Sequence, residues 1–145
     1  MSASAVVSIR LPQDEVSRLG LLAKRLGRTA SEVGAQLLGE SLRQAEFTFI
    51  EFRDSAVGRQ PYIQGSRLAV WQVISLLRDY ADDVAKTAAH LRWPEAKVHA
   101  ARAYAQAYPD EIQEAIRDNE AVDFERLSRL LPGMQTLEPT PRKPP

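Results

Sequence analysis

The chain has 145 residues, 44% of them hydrophobic, with 19 basic residues, 19 acidic residues and no cysteine. The apolar fraction is enough for a packed core, so we expect one ordinary domain or two small ones. A zero net charge excludes a global field that attracts nucleic acid or membrane, and the lack of cysteine excludes disulfides and thiolate chemistry. We find no apolar run of membrane-spanning length and no apolar core of a signal peptide, and therefore expect a cytoplasmic protein.

The first predicted element is a strand over residues 6–11, where apolar and polar side chains alternate with a period of two. The apolar positions are Val7, Ile9 and Leu11, and the polar positions are Ser8 and Arg10. Pro12 ends the run because it has no N–H to donate to a ladder.

Two helices are predicted next, over residues 13–26 and from Thr29 to about Gln44. Gly27 suits the left-handed residue that ends the first helix, and Thr29 with Glu32 has the spacing of a capping box. Both helices carry apolar stripes. These are Val16, Leu19, Leu22, Ala23 and Leu26 in the first, and Val33, Leu37, Leu38 and Leu42 in the second.

One strand and two short helices make about 40 residues, which is small for a domain without disulfides or metals. The single strand also leaves its N–H and C=O groups open for a second strand. We therefore predict a homodimer, in which two copies of residues 6–11 pair antiparallel and four helices cover their apolar face. The alternative is pairing of 6–11 with "FTFIEF" at 47–52 in the same chain.

The outer face of such a ribbon would present Ser8 and Arg10 twice. A two-stranded ribbon fits the major groove of DNA, where arginine can bind guanine O6 and N7 together. The second helix begins with Thr29, Ala30 and Ser31, and a helix N-terminus suits a phosphate. Lys24, Arg25 and Arg28 lie near the same turn.

Residues 5–45, with their order of strand, proline, helix, glycine turn and capped helix, resemble a ribbon-helix-helix DNA-binding domain of the CopG/Arc/MetJ kind. The resemblance implies that the outward strand residues read bases, which falls on Ser8 and Arg10, with Val6 as a third contact. The candidate DNA-binding residues are Val6, Ser8, Arg10, Lys24, Arg28, Thr29, Ala30 and Ser31.

Residues 47–119 form a second predicted unit. Strands are predicted at 47–52 and 59–63, with the polar stretch "RDSAVG" between them. Helices are predicted at 71–79, from Asp82 and Asp83 to Leu91, from Glu95 to Tyr108 and at 109–119, with Pro94 as a first helical residue. The predicted fold class is mainly α, with a helix-turn-helix-like trihelical domain and a short β-hairpin.

The stretch from Gly58 to Ile112 is similar to the small domain of VapB-like antitoxins that carries the pattern G-x-P-V-I-x-G-T-R-I-P-V. The matching positions are Gly58, Pro61, Ile63, Gly65, Arg67 and Val70. The resemblance implies a partner, a PIN-type ribonuclease toxin. Gly65, Ser66 and Arg67 are candidate contacts of this unit; alternatively they form a structural turn, with Arg67 paired to a carboxylate of the domain.

Residues 120–145 are predicted to form a short amphipathic helix followed by a Pro-rich tail. An apolar helix with a tail suits docking on a partner. The candidate toxin-binding residues are Phe124, Leu127, Leu130, Leu131, Leu137, Arg142 and Lys143. The alternative is that Leu127 and Leu130 only cover the trihelical core.

No cofactor, metal or catalytic residue is predicted, since His90 and His99 lack metal-binding spacing and no phosphate loop is found. The sequence therefore predicts a dimeric, DNA-binding antitoxin of a toxin–antitoxin pair, which represses its own operon and in which two dimers can occupy adjacent half-sites. The alternatives are a stand-alone repressor or DNA-organising protein, a protein-interaction scaffold, and, with least support, a hydrolase built on the two histidines.

Overall fold

The computed structural model describes residues 3–130, which fold into a mainly helical structure with one two-stranded antiparallel sheet. In chain order the elements are α1 (Gln13–Leu26), α2 (Ala30–Glu46), β1 (Ile50–Ser55), β2 (Gly58–Ile63), α3 (Val70–Asp79), α4 (Val84–Leu91), α5 (Glu95–Ala107) and α6 (Pro109–Leu130).

The boundaries of α1 and α2 follow from local chemistry. Gly27 ends α1 with a left-handed backbone (φ 65°), and its N–H and that of Arg28 close the last turn on carbonyls of that helix. Thr29 caps α2, accepting a hydrogen bond from the Glu32 N–H at 3.1 Å. The positions of these two helices, the Gly27 end and the Thr29 cap are confirmed, with α2 ending two residues later than expected, whereas of the predicted capping box only the bond to Thr29 is found and the Glu32 carboxylate faces Arg28.

A two-residue connection joins β1 and β2, with Ile50 opposite Ile63 and Ser55 opposite Gly58. The predicted first strand, 47–52, starts and ends too early. Phe47 ends α2, and Phe49 has a positive φ of 62° that no strand residue adopts. The stretch expected to be a connecting loop contributes residues 53–55 and 58 to the strands.

The core lies between the hairpin and helices α3 to α6. It is made of aliphatic residues with one tyrosine, Tyr104, which is fully buried. Its other members are Ile50, Ile63, Val70, Val73, Ile74, Leu77, Ala88, Val98, Ala101, Ile112 and Ile116. Each of these four helices therefore contributes apolar residues to the same interior, as the helical spacing predicted.

Two helix boundaries differ from prediction. Pro94 precedes α5 as its cap rather than forming its first residue, because its extended backbone (ψ 142°) is not helical. The helix that begins at Pro109 does not end near residue 119 but continues to Leu130. No glycine or proline lies between Pro109 and Pro132, so the sequence contains no strong helix breaker there.

We expect Gly27→Ala to lower the free energy of unfolding by about 1 kcal/mol, because alanine in the left-handed conformation is strained. Urea unfolding at a fixed protein concentration measures this. Gly20→Ala is the matched control, since an added Cβ meets nothing within 4 Å at either position and only Gly27 has a positive φ. Gly20 lies inside α1, so alanine should stabilise there by about 0.5–1 kcal/mol. Equal effects of the two substitutions would contradict this account.

Candidate functional site: the N-terminal segment and the exposed faces of α1 and α2

The segment predicted as a strand, residues 6–11, forms no ladder with any other part of residues 3–130. Its side chains are exposed on both faces, including Val6 at 96% and Ile9 at 59%. The alternative pairing with residues 47–52 does not form, since β1 pairs with β2. A segment of strand-forming sequence thus has no strand partner among residues 3–130.

The helices beside this segment have little interior of their own. In α1 and α2 only Ala23 and Val33 are buried. The remaining large apolar side chains of the two predicted stripes, apart from the half-buried Leu19 and Leu22, are exposed. They are Val16, Leu26, Leu37, Leu38 and Leu42, and we call them, with Val7, Ile9 and Leu11, the open apolar face. A group of exposed large apolar side chains in one region of a chain indicates a candidate interaction site.

In the basic turn between α1 and α2, the Arg28 side chain contacts other side chains, and the neighbouring residues are exposed. Arg28 lies 3.5 Å (Nε to Oε2) from the Glu32 carboxylate and donates a hydrogen bond to Gln36. Lys24 is exposed. Ala30 and Ser31 are exposed at the start of α2, where helix N–H groups have no intrahelical acceptor. Of the predicted phosphate contacts, Arg28 is therefore the one with competing partners.

The Gly65–Arg67 stretch forms a turn. Gly65 has a φ of 77°, and the Ser66 hydroxyl donates to the Ile63 carbonyl at 2.8 Å and accepts from the Leu68 N–H at 3.1 Å. The Ser66 carbonyl accepts from Arg53 at 2.7 Å. Gly65 and Ser66 thus serve the fold locally. Arg67 is exposed, and within residues 3–130 no carboxylate lies within ion-pair distance of it, so the expected internal pair is not found there.

The candidate toxin-binding residues fall at the end of the described region. Helix α6 includes Phe124, Leu127 and Leu130 in its backbone, but the structure describes no side chain for these three residues. Leu131, Leu137, Arg142 and Lys143 lie outside the described residues. The described side chains of α6 beyond Asn119 are exposed, among them Val122 at 49%, and the last buried one is Ile116.

A half-buried polar cluster that the sequence did not predict joins α2 to α5 and α6. Arg43 donates from Nη1 to the Tyr104 hydroxyl and to Glu111 Oε2, each at 2.8 Å, and the Tyr104 hydroxyl donates to Glu111 Oε1 at 2.7 Å. The Arg43 guanidinium also lies 4.1 Å from the ring centre of Tyr108. We call Arg43, Tyr104 and Glu111 the Arg43 clamp.

The electrostatics of the Arg43 clamp favour a protonated Tyr104 hydroxyl and a charged Arg43. Burial and then the Glu111 carboxylate raise the pKa of Tyr104 far above its usual value, so the hydroxyl keeps the proton that it donates. Burial alone would lower the pKa of Arg43, but Tyr104 and Glu111 outweigh it and raise the pKa. The partners lie 61 and 68 residues away, so no local sequence pattern could have indicated them.

The two histidines are not brought together for chemistry. His90 in α4 hydrogen-bonds Tyr80 at 2.8 Å, and His99 in α5 hydrogen-bonds Arg102 at 3.0 Å. Across residues 3–130 there is no group of three or more histidine, aspartate or glutamate side chains placed to hold a metal ion. Of the helices in that same range, none combines the length and the hydropathy needed to cross a membrane.

Comparison of the chain with protein-family models, with curated proteins and with solved structures gave no match.

The open apolar face predicts self-association, which sedimentation equilibrium over a range of concentrations will measure. We expect Ile9→Ser to weaken the association, because burying an aliphatic side chain of this size contributes about 1.5–3 kcal/mol and two copies lose it together. Val57→Ser, in the hairpin turn, is the control, since Val57 is also exposed (48%) but lies outside the open apolar face. A monomer at all concentrations, or equal weakening by both variants, would refute this role of the face.

Proposed function

We propose that this protein is the antitoxin of a type II toxin–antitoxin pair, which binds operator DNA as a homodimer, represses its own operon and neutralises a PIN-like ribonuclease. The observation that carries the proposal is the open apolar face together with the unpaired segment 6–11. Such a protein acts where the DNA is, in the cytoplasm.

The dimer accounts for both features at once. Antiparallel pairing of two copies of residues 6–11 satisfies the open backbone groups and places Val7, Ile9 and Leu11 of both chains on one side. The leucines of α1 and α2 then cover that side, which gives the ribbon-helix-helix arrangement that the sequence resembles. A second copy is the occupant that fits best, because each chain offers both the strand and the covering helices.

The opposite side of the ribbon is the proposed DNA-reading surface. It carries Arg10 and Ser8, with Val6 at its edge, and a ribbon of this width enters the major groove. Residues 6–31 contain five basic and two acidic residues, a local net charge of +3 in a chain whose net charge is zero. The start of α2 (Thr29, Ala30, Ser31) and Lys24 are the proposed phosphate contacts. Two dimers on adjacent half-sites would extend the few base pairs that one ribbon reads.

The partner-binding role is assigned to the far part of α6 and the residues that follow. Support comes from the similarity of residues 58–112 to VapB-like antitoxins and from the exposure of α6 beyond its last core residue. In the second unit, Arg67 remains a candidate contact, whereas Gly65 and Ser66 are used within the turn. A stand-alone repressor would use the same DNA-binding surface without a toxin.

The DNA-reading surface is tested by Arg10→Ala in a fluorescence-anisotropy titration with the protein's own promoter. We expect a loss of about 1–3 kcal/mol on the specific site, because a bidentate arginine–guanine contact is removed. The affinity of the unsubstituted protein should also fall steeply with salt, because the release of counterions from DNA is less favourable at a higher salt concentration. Arg117→Ala, an exposed arginine of α6, is the control and should bind normally. Unchanged operator affinity in Arg10→Ala with an intact dimer would overturn the assignment.

The partner is tested by co-expression with the product of the adjacent reading frame, followed by co-purification. We expect a stable complex that Leu127→Asp weakens, because a charge would enter an apolar contact. Val122→Asp is the control, since at about 100° per residue position 122 lies on the other side of the helix from position 127. Operator binding without any complex would favour the stand-alone repressor. Dimerisation without operator binding and without a complex would favour the protein-interaction scaffold.

A further inference from the structure

Helix α2 has two sides that are used differently. Glu40 and Arg43 contact the second unit, which consists of the hairpin and α3 to α6. Leu38 and Leu42 belong to the open apolar face. At about 100° per residue, each of these leucines lies about 160° around the helix from Glu40. One side of α2 is therefore attached to the second unit while the opposite side stays exposed.

The attachment consists of charged hydrogen bonds and aromatic contacts. The Arg43 clamp holds the last turn of α2 through two bonds of 2.8 Å. One turn earlier, the Glu40 carboxylate accepts from Arg59 Nε of β2 at 2.7 Å, and its side chain is only 11% exposed. Phe47, directly after α2, packs edge-on against Tyr104 and Tyr108, with ring centres 5.4 and 6.0 Å apart. Contacts to both the hairpin and α5–α6 restrain α2 in more than one direction.

Such contacts are difficult to break one at a time. Hydrogen bonds with a charged partner are about twice as strong as neutral ones. The Tyr104 side chain is fully buried, so if Arg43 left, its hydroxyl would lose one of its two partners with no access to water. Arg43 also lies in the last turn of α2, where a cation is favoured by the helix dipole. The attached arrangement is therefore the favoured state of the linkage.

We propose that the Arg43 clamp and the Glu40–Arg59 pair make α1, α2 and the second unit one rigid body. Glu111 lies in the first turn of α6, so the same helix that anchors α2 extends to the candidate partner-binding residues. A partner bound to α6 then has a fixed position and orientation relative to the DNA-reading surface. This last consequence rests on the proposed function, whereas the rigid linkage rests on contacts within one chain.

The linkage is tested by the distance between spin labels. The chain has no cysteine, so labels can be attached to Leu21→Cys in α1 and Ala103→Cys in α5, both of which replace exposed residues. The labelled chain is diluted with an excess of unlabelled chain, so that only the distance within one chain is read. We expect one narrow distance distribution in the full-length protein and a broadened one in Glu40→Gln/Arg43→Met, with the helical circular dichroism unchanged.

The matched control is Glu114→Gln/Arg117→Met, which makes the same chemical changes at two exposed positions of α6 and should leave the distribution narrow. Two results would overturn the proposal. One is a broad distribution in the chain that carries only the two labels, and the other is a narrow distribution in Glu40→Gln/Arg43→Met. The experiment contains no DNA and reads a distance within one chain. Its outcome is therefore independent of whether the protein binds an operator or a toxin.

Discussion

The structure depends most on how α1 and α2 bury their apolar side chains. These helices bury only Ala23 and Val33 of their own, which is far too little apolar surface to offset the entropy of ordering some 40 residues. The second unit supplies one neighbour, through the polar and aromatic contacts of Arg43, Glu40 and Phe47. These contacts leave the apolar stripes uncovered. In the proposed homodimer, a second copy would supply the hydrophobic contribution that α1 and α2 lack.

Local signals in the sequence predicted most of the helical fold. Gly27, Thr29 and Asp83 occupy the capping positions that their chemistry predicts, because a cap is decided by residues within one turn. The wrong predictions lie where contacts between residues far apart in the sequence determine the structure. The first strand begins late because Phe47 ends α2 and packs on Tyr104 and Tyr108. A pattern of apolar residues around position 47 cannot distinguish a strand from a residue anchored by aromatic rings some 60 positions away.

The same limit applies to the candidate site. Arg28 was a possible contact because it lies near the turn between α1 and α2, and Ser66 because it lies in the antitoxin-like pattern, with a structural turn as the alternative. The Ser66 hydroxyl is committed to its own turn, and Arg28 is directed towards Glu32 and Gln36. Ser8 and Arg10 are exposed on a segment that has no strand partner within residues 3–130. The alternation of residues 6–11 specifies which side chains would share a face of a paired strand, so the assignment of Ser8 and Arg10 to the DNA-reading face stays a prediction.

The use of charge within the chain favours the N-terminal region as the DNA-binding surface. In the second unit, some arginines have close partners, as Arg59 faces Glu40 and Arg53 pairs with Glu51 and binds the Ser66 carbonyl. Such pairs cancel at a distance, so they attract no phosphate. The excess of basic residues over residues 6–31 is balanced in part by Asp14 and Glu15, which lie in the first turn of α1, where the helix dipole favours them, and by Glu32 just beyond, which faces Arg28. In the proposed dimer, two such basic surfaces would come together at an electrostatic cost, and DNA bound to the ribbon would offset that cost. The same positive charge that opposes the free dimer would thus stabilise the dimer on DNA.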